Sequence, residues 1–301
     1  MDRATLDREY SPSSRVTALA PLLAEYAERS RAAHASLPGW RVLRHGTGPR
    51  EAIDFLPAPD SGPGADPGAP LHLYIHGGYW TELGREDSAF AAPGLRAQGA
   101  AFAALGYDLA PGVSLDEIVR QCRSALAFLH REAAALGVDA RRIFVSGSSA
   151  GGHLAAMLAA AGWQAAAGLP ADAVRGAVLL SGVFDLAPIR HCYVDGWLGL
   201  DEAAVARLSP VRHPPRPGMP VVVAVGENET AEFHRQSAEY AAACVAAGAD
   251  CRHAVIAGRN HFDIVFDLGD PATPLGAMVA AQMATGAGAG RTAGRGGRPG
   301  A

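Results

Sequence analysis

Short runs of continuously apolar residues alternate along this chain with longer segments whose apolar positions recur at helical spacing. Leu71–Ile75, Ala100–Leu105, Arg142–Ser146, Gly176–Ser181, Pro220–Val225 and Cys251–Ala257 are of the first kind. Several read as strands buried on both faces of a parallel sheet. Between them, Leu115, Ile118, Val119, Cys122, Leu126 and Leu129 fall on one helical face, with Ser114 in front as N-cap and Glu117 as its capping-box partner. Phe233 to Ala247 reads as a second such helix, closed by Gly248. The alternation predicts an α/β fold: a mostly parallel, doubly wound central sheet with helices on both faces and its site at the carboxyl ends of the strands. No internal repeat is present.

Three segments depart from this pattern. Residues 57–70 are rich in Pro, Gly and Asp and read as a surface loop. From about Tyr10 to Leu37 the chain is helical in pattern and mixed-polar, which makes residues 1–40 an N-terminal helical arm or small cap, either over the site or along the surface. Residues 41–285 then form the catalytic domain. From Gly286 to 301 the chain is Gly, Ala and Arg with almost no apolar bulk, a composition that cannot offset the entropy of ordering, and a disordered tail is expected. Its three arginines stand without interleaved aromatics and make no nucleic-acid-binding segment.

Composition supports one large core: 49% of the 301 residues are hydrophobic and 19% charged. A net charge of −4 gives no electrostatic reason to expect nucleic acid or an anionic membrane as partner. Cys122, Cys192, Cys244 and Cys251 lack zinc-type spacing and form no disulfide framework, so free thiols and no metal are expected. The start of the chain has no signal-peptide pattern and no run resembles a membrane span; a cytoplasmic setting is expected. The oligomeric state stays open, a homodimer included.

Candidate chemistry begins at Gly147-Ser148-Ser149-Ala150-Gly151, which a strand-like run enters and a helix-like run leaves. A G-x-S-x-G elbow in that setting exposes its serine on a strained turn above the sheet, which makes Ser149 the candidate nucleophile. The following helix points free N–H groups at any oxyanion forming there. His76-Gly77-Gly78-Tyr79-Trp80 follows another strand-like run about seventy residues earlier. In α/β-hydrolases one oxyanion donor is the amide after the nucleophile, here Ala150, and the other comes from such a Gly-rich loop, here Gly78 or Tyr79.

A serine nucleophile needs a base, and the base a carboxylate, in the chain order serine, acid, histidine. His261 follows the last strand-like run and is the best-placed base; His153, His191, His213, His234 and His253 lack that placement. The loop after Val221–Val225 offers Glu227 and Glu229 as the acid, and spacing alone does not choose between them. Asp263 reads as a helix-start residue.

The set Tyr10-Ser11-Pro12-Ser13, His76 to Trp80, the elbow with Gly152-His153-Leu154, Ser181 to Leu186, and Glu232-Phe233-His234-Arg235-Gln236-Ser237 resembles the α/β-hydrolase type of arylformamidase, or kynurenine formamidase, from about residue 8 to 275. The resemblance selects Glu229 as the acid, where some relatives carry Asp, and implies a triad of Ser149, Glu229 and His261 with no metal or cofactor. It implies hydrolysis of an N-formyl arylamine such as N-formylkynurenine through a formyl-serine ester, with Tyr79 and Trp80 toward the aromatic leaving group. A small aromatic formamide or ester is then the partner. Tyr193 and Trp197, in the irregular segment 188–210, are expected in a cap. The rival reading is a broad carboxylesterase, or an amide or carbamate hydrolase of a xenobiotic or secondary metabolite, since all share the acylation chemistry.

Overall fold

Short apolar runs become strands here because both faces of the sheet are covered. In the computed structural model, which describes residues 1–59 and 68–285, the sheet is built from β1 (Arg41–Arg44), β2 (Ala52–Leu56), β3 (Ala69–Ile75), β4 (Ala101–Leu105), β5 (Val138–Ser148), β6 (Gly176–Leu180), β7 (Pro220–Asn228) and β8 (Asp250–Asn260). Their order is β1-β2-β4-β3-β5-β6-β7-β8. β1 with β2 and β2 with β4 are antiparallel, and every remaining neighbour is parallel. The six expected strands are all present. β1 carries no clear apolar signal, and the apolar run of β2 is interrupted by Asp54, whose carboxylate Arg85 meets at 3.3 Å.

The described helices are α1 (Arg3–Glu9), α2 (Ala20–Ser36), α3 (Ala92–Ala97), α4 (Leu115–Glu132), α5 (Ala150–Ala159), α6 (Asp195–Leu198), α7 (Glu202–Leu208), α8 (Ala231–Ala246) and α9 (Pro274–Ala284). Strand residues alternate between two apolar layers, as a period of two requires. Leu71, Leu73 and Ile75 of β3 pack with α4, α5 and α8, whereas Tyr74 packs in the layer holding α2, α3 and α9. Each fully buried Leu or Ile contributes roughly 1.5–3 kcal/mol. Ser114 caps α4 by accepting from the Glu117 N–H at 3.2 Å. The expected reciprocal half of that box is missing, because the Glu117 carboxylate turns to Arg120 and Gln121 on its own helix face.

Residues 60–67 of the expected loop, and the whole expected tail from 286 onward, lie outside the described residues. β4 and β5 lie on opposite sides of β3, so the connections reverse direction there and open a crevice at the carboxyl ends of β3 and β5.

Candidate active site

The elbow is set by backbone crowding. Ser149 joins β5 to α5 with φ 58° and ψ −122°, a region that costs a non-glycine residue about 1–3 kcal/mol. Its N–H donates to the Leu180 carbonyl at 2.9 Å and its carbonyl accepts from the His153 N–H at 3.0 Å, which pins the turn from both sides. A Cβ at Gly151 would overlap the Ile75 and His76 carbonyls, so only glycine lets α5 start this close to β3. Among the described residues the Ser149 hydroxyl makes no hydrogen bond; it lines a cavity of about 210 Å³.

The loop after β3 lies directly beside the elbow. A Cβ at Gly77 would sit 2.8 Å from the Ser148 carbonyl oxygen and 3.3 Å from the Ser149 Cβ. Gly78, Tyr79 and Trp80 follow with φ of 91°, 46° and 62°. The carbonyls of His76, Gly77 and Gly78 are taken: the Tyr107 hydroxyl donates to His76 at 3.0 Å, His76 Nδ1 meets the Gly77 oxygen at 2.9 Å, and the N–H groups of Thr81 and Glu82 donate to Gly78 at 2.9 and 3.0 Å. Burial pushes His76 down to about 4, so it is neutral, donates from Nδ1, and stacks on Tyr107 with ring centroids 4.1 Å apart. The amides of Gly78, Tyr79 and Ala150 have no hydrogen-bond partner among the described residues. The last is at the N-terminus of α5, where the helix itself supplies no acceptor.

Histidine and acid come from the ends of β8 and β7. His261 Nδ1 meets Glu229 Oε2 at 2.7 Å, with both side chains buried. The other oxygen of Glu229 accepts from the Ser181 hydroxyl at 2.5 Å and the Gly226 N–H at 2.7 Å. This fixes the carboxylate so that Oε2 is left to the imidazole. Glu227 points elsewhere, to the Gly258 N–H at 2.8 Å on the surface. Ser181, itself at φ 47°, belongs to one of the quoted motifs, but its tie to Glu229 across 48 residues leaves no trace in local pattern. Asp263 starts a short helical turn and accepts from Asn260, away from the imidazole.

His261 lines the same cavity as Ser149, together with Gly77, Gly78 and Tyr79. Trp80 does not. Expected beside the leaving group, it is instead fully buried, with its ring edge-on to His153 at 5.1 Å, because the left-handed backbone at Tyr79 and Trp80 turns it into the core beside α5. His153 is likewise a core residue, hydrogen-bonded to the Leu208 carbonyl at 2.7 Å and pushed by burial down to about 4. The N-terminal arm covers the cavity through Pro12, Ser13, Leu19, Leu23 and Tyr26, and Tyr193 and Trp197 close another part of it.

Tyr10 holds this cover to the strand ends. Its carbonyl accepts from the Tyr79 hydroxyl at 2.5 Å and the Tyr193 hydroxyl at 3.1 Å. Its own hydroxyl donates to Glu232 at 2.7 Å and accepts from Gln236 at 2.9 Å. Gln236 Oε1 in turn accepts the N–H groups of Phe184 and Asp185 at 2.7 and 2.6 Å. Four motifs far apart in sequence are thereby one hydrogen-bonded unit. Among the described residues no group of His, Cys, Asp or Glu is arranged to hold a metal, and no helix is long and apolar enough to cross a membrane.

The chain is similar to known proteins. The BD-FAE family pattern matches residues 61–242. The chain is 31% identical over 285 residues to a kynurenine formamidase of Danio rerio, covering 90% of this chain and 92% of that one. It is 32% identical over 290 residues to a kynurenine formamidase of Salmo salar, with the same coverage of 90% and 92%. The thermophilic carboxylesterase EstE1, cloned from a metagenomic library, superposes with a TM-score of 0.67 at 22% identity, over 88% of this chain and 96% of that one, a likeness of fold.

Proposed function

Because the chain belongs to the kynurenine formamidase family of α/β-hydrolases, enzymes of the serine-hydrolase formamidase and esterase type, we propose that it hydrolyses an N-formyl arylamine such as N-formylkynurenine to formate and the free amine. The observation that carries this reading is the buried 2.7 Å contact of His261 with Glu229, on the cavity that Ser149 and the Gly77–Tyr79 loop share.

Ser149 Oγ attacks the formyl carbon and its proton passes to His261 Nε2. The carbonyl oxygen becomes an oxyanion on the amides of Ala150 and Gly78, with Tyr79 adjacent; a donor of this kind is worth about 10²–10³ in turnover. An aniline nitrogen leaves poorly as an anion, so the His261 imidazolium delivers its proton as the C–N bond breaks. Glu229 stabilises that imidazolium and fixes its tautomer. Water, deprotonated by His261, then cleaves the formyl-Ser149 ester, releasing formate and returning the serine proton. The steps use side chains, backbone amides and water. The setting we propose is the cytoplasm.

Acyl size tests the reading. Purified, chelator-treated protein is expected to show kcat/KM on N-formylkynurenine well above that on p-nitrophenyl acetate, with butyrate lower still. Brisk cleavage of both esters with no formamide turnover would overturn it and assign a broad carboxylesterase or carbamate hydrolase.

A further inference from the structure

The charge on the cavity wall is all of one sign. Tyr26, Tyr74, Phe90, Tyr193, Trp197 and Phe262 supply aromatic surface, while Glu82 and Asp87 supply carboxylates on the segment that continues from the Gly77–Tyr79 loop. Among the described residues no arginine lines the cavity, and the chain contains no lysine. Neither carboxylate forms an ion pair among the described residues. Of the nearby arginines, Arg50 donates to the Leu83 carbonyl at 2.9 Å and keeps its charge, which partly offsets that of Asp87, while Arg85 pairs with Asp54 at 3.3 Å. Burial, with Glu86 adding to it, raises the Asp87 carboxyl above its ordinary value. A second observation is independent of these acids. Tyr74 is only 3% exposed and lines the cavity, yet its hydroxyl has no hydrogen-bond partner among the described residues. Facing the cavity, that hydroxyl is open to a ligand.

We propose that this cavity selects its substrate by charge, taking aryl formamides whose amine half carries a cationic or neutral side group and disfavouring those with a free carboxylate. The proposal rests on the formamidase reading and names the substrate class within it. An ammonium group here meets Asp87 and Glu82, the oxygen of Tyr74 as acceptor and the faces of the aromatic rings, each attractive to a cation. A carboxylate meets two like charges and no arginine to form a pair with. N-Formylkynurenine carries an ammonium and a carboxylate together, and it therefore ranks below its decarboxylated amine.

The test is a matched series of formanilides bearing aminomethyl, methyl or carboxymethyl groups at one ring position, compared by kcat/KM at low ionic strength. The cationic member is expected to exceed the anionic one by about tenfold or more, shrinking with added salt. The ratio is expected to fall to within about threefold in E82Q/D87N. In Y74F the cationic member is expected to lose about threefold more than the neutral one. An anionic member equal to or better than the cationic one overturns the proposal, as does a ratio that E82Q/D87N leaves in place. If the neutral formanilide is not cleaved, the formamidase reading fails by itself. The same series is then read on aryl acetates, where the same ratios decide charge selection.

Discussion

The candidate active-site cavity has two kinds of wall. One is made by the carboxyl ends of β3, β5 and β8, which present Gly77 to Tyr79, Ser149 and His261, with Glu229 after β7 bonded to His261 from behind. The other is a cover made by residues 12–26 of the arm and by Tyr193 and Trp197. The strand ends are over-determined: parallel ladders, close glycine approaches and backbone hydrogen bonds hold each group from several directions. The cover is attached by individual side-chain hydrogen bonds, among them those of the Tyr10 carbonyl and hydroxyl, the Thr230 hydroxyl donating to the Glu9 carbonyl at 2.6 Å and the Tyr26 hydroxyl donating to the Phe262 carbonyl at 2.5 Å. Rigid elements suit the bonds being made and broken, and attached pieces suit the choice of what enters. Changes at strand ends should therefore act on kcat, and changes in the cover on KM.

The largest effect is expected at Ser149. Ser149→Ala should lower turnover by roughly 10⁴-fold or more, with circular dichroism and melting unchanged; a tenth of the activity remaining would remove the nucleophile from the site. Next is the acid. Glu229→Gln keeps the shape but loses the charge that stabilises the imidazolium, and turnover should fall by roughly 10³-fold. Glu227→Gln, on the surface contact with Gly258, should stay within about threefold of the parent. Steady-state kinetics of the pair would show the reverse order if the His261 contact with Glu229 were not the working one.

How far these residues can be read from sequence follows from how local their causes are. Ser149 and His261 sit where strand-like runs end, and Gly147 and Gly151 are needed within the same turn, so short pattern suffices. Glu229 and Glu227 share one loop, and what separates them is Ser181 arriving from β6, a contact that no local pattern contains. Trp80 adjoins the site in sequence yet leaves it in space because of positive φ at two successive residues. β1 and β2 escape notice because they are short and antiparallel, and Asp54, paired to Arg85, interrupts the apolar run of β2. The Tyr10 unit joins residues more than 200 positions apart, such as Tyr10 and Glu232 at a separation of 222. Its parts are visible in the quoted motifs, whereas their bonds are not.

Tyr79 spans the two regions and so sharpens the comparison. Its backbone belongs to the loop proposed to hold the oxyanion, and its hydroxyl donates to the arm. Tyr79→Phe should lower kcat about tenfold with KM nearly unchanged, because one lost hydrogen bond of about 1 kcal/mol loosens a loop held at positive φ. Tyr193→Phe removes the longer bond to the same carbonyl, at 3.1 Å, from a residue that carries no oxyanion amide. Its kcat should change less. Equal losses in the two variants would mean that the arm, rather than the loop, is what the Tyr10 carbonyl serves.

Trp197 tests the cover alone. It is 39% exposed, on the short helix α6, and its ring meets Tyr193 edge-on at 5.6 Å. A large apolar side chain left that open on a cavity rim has little folding work to do, so its replacement should barely move the melting temperature. Its remaining use is to close over an aromatic leaving group, where an aromatic pair adds roughly 0.5–1.5 kcal/mol beyond area burial. Trp197→Ala should therefore raise KM for an aryl formamide by about threefold to tenfold, leave kcat close to the parent, and do less to a small aliphatic ester. If kcat fell as far as KM rose, the cover would be positioning the reacting groups too, and the division between strand ends that perform chemistry and a cover that selects substrate would not hold at this edge of the cavity.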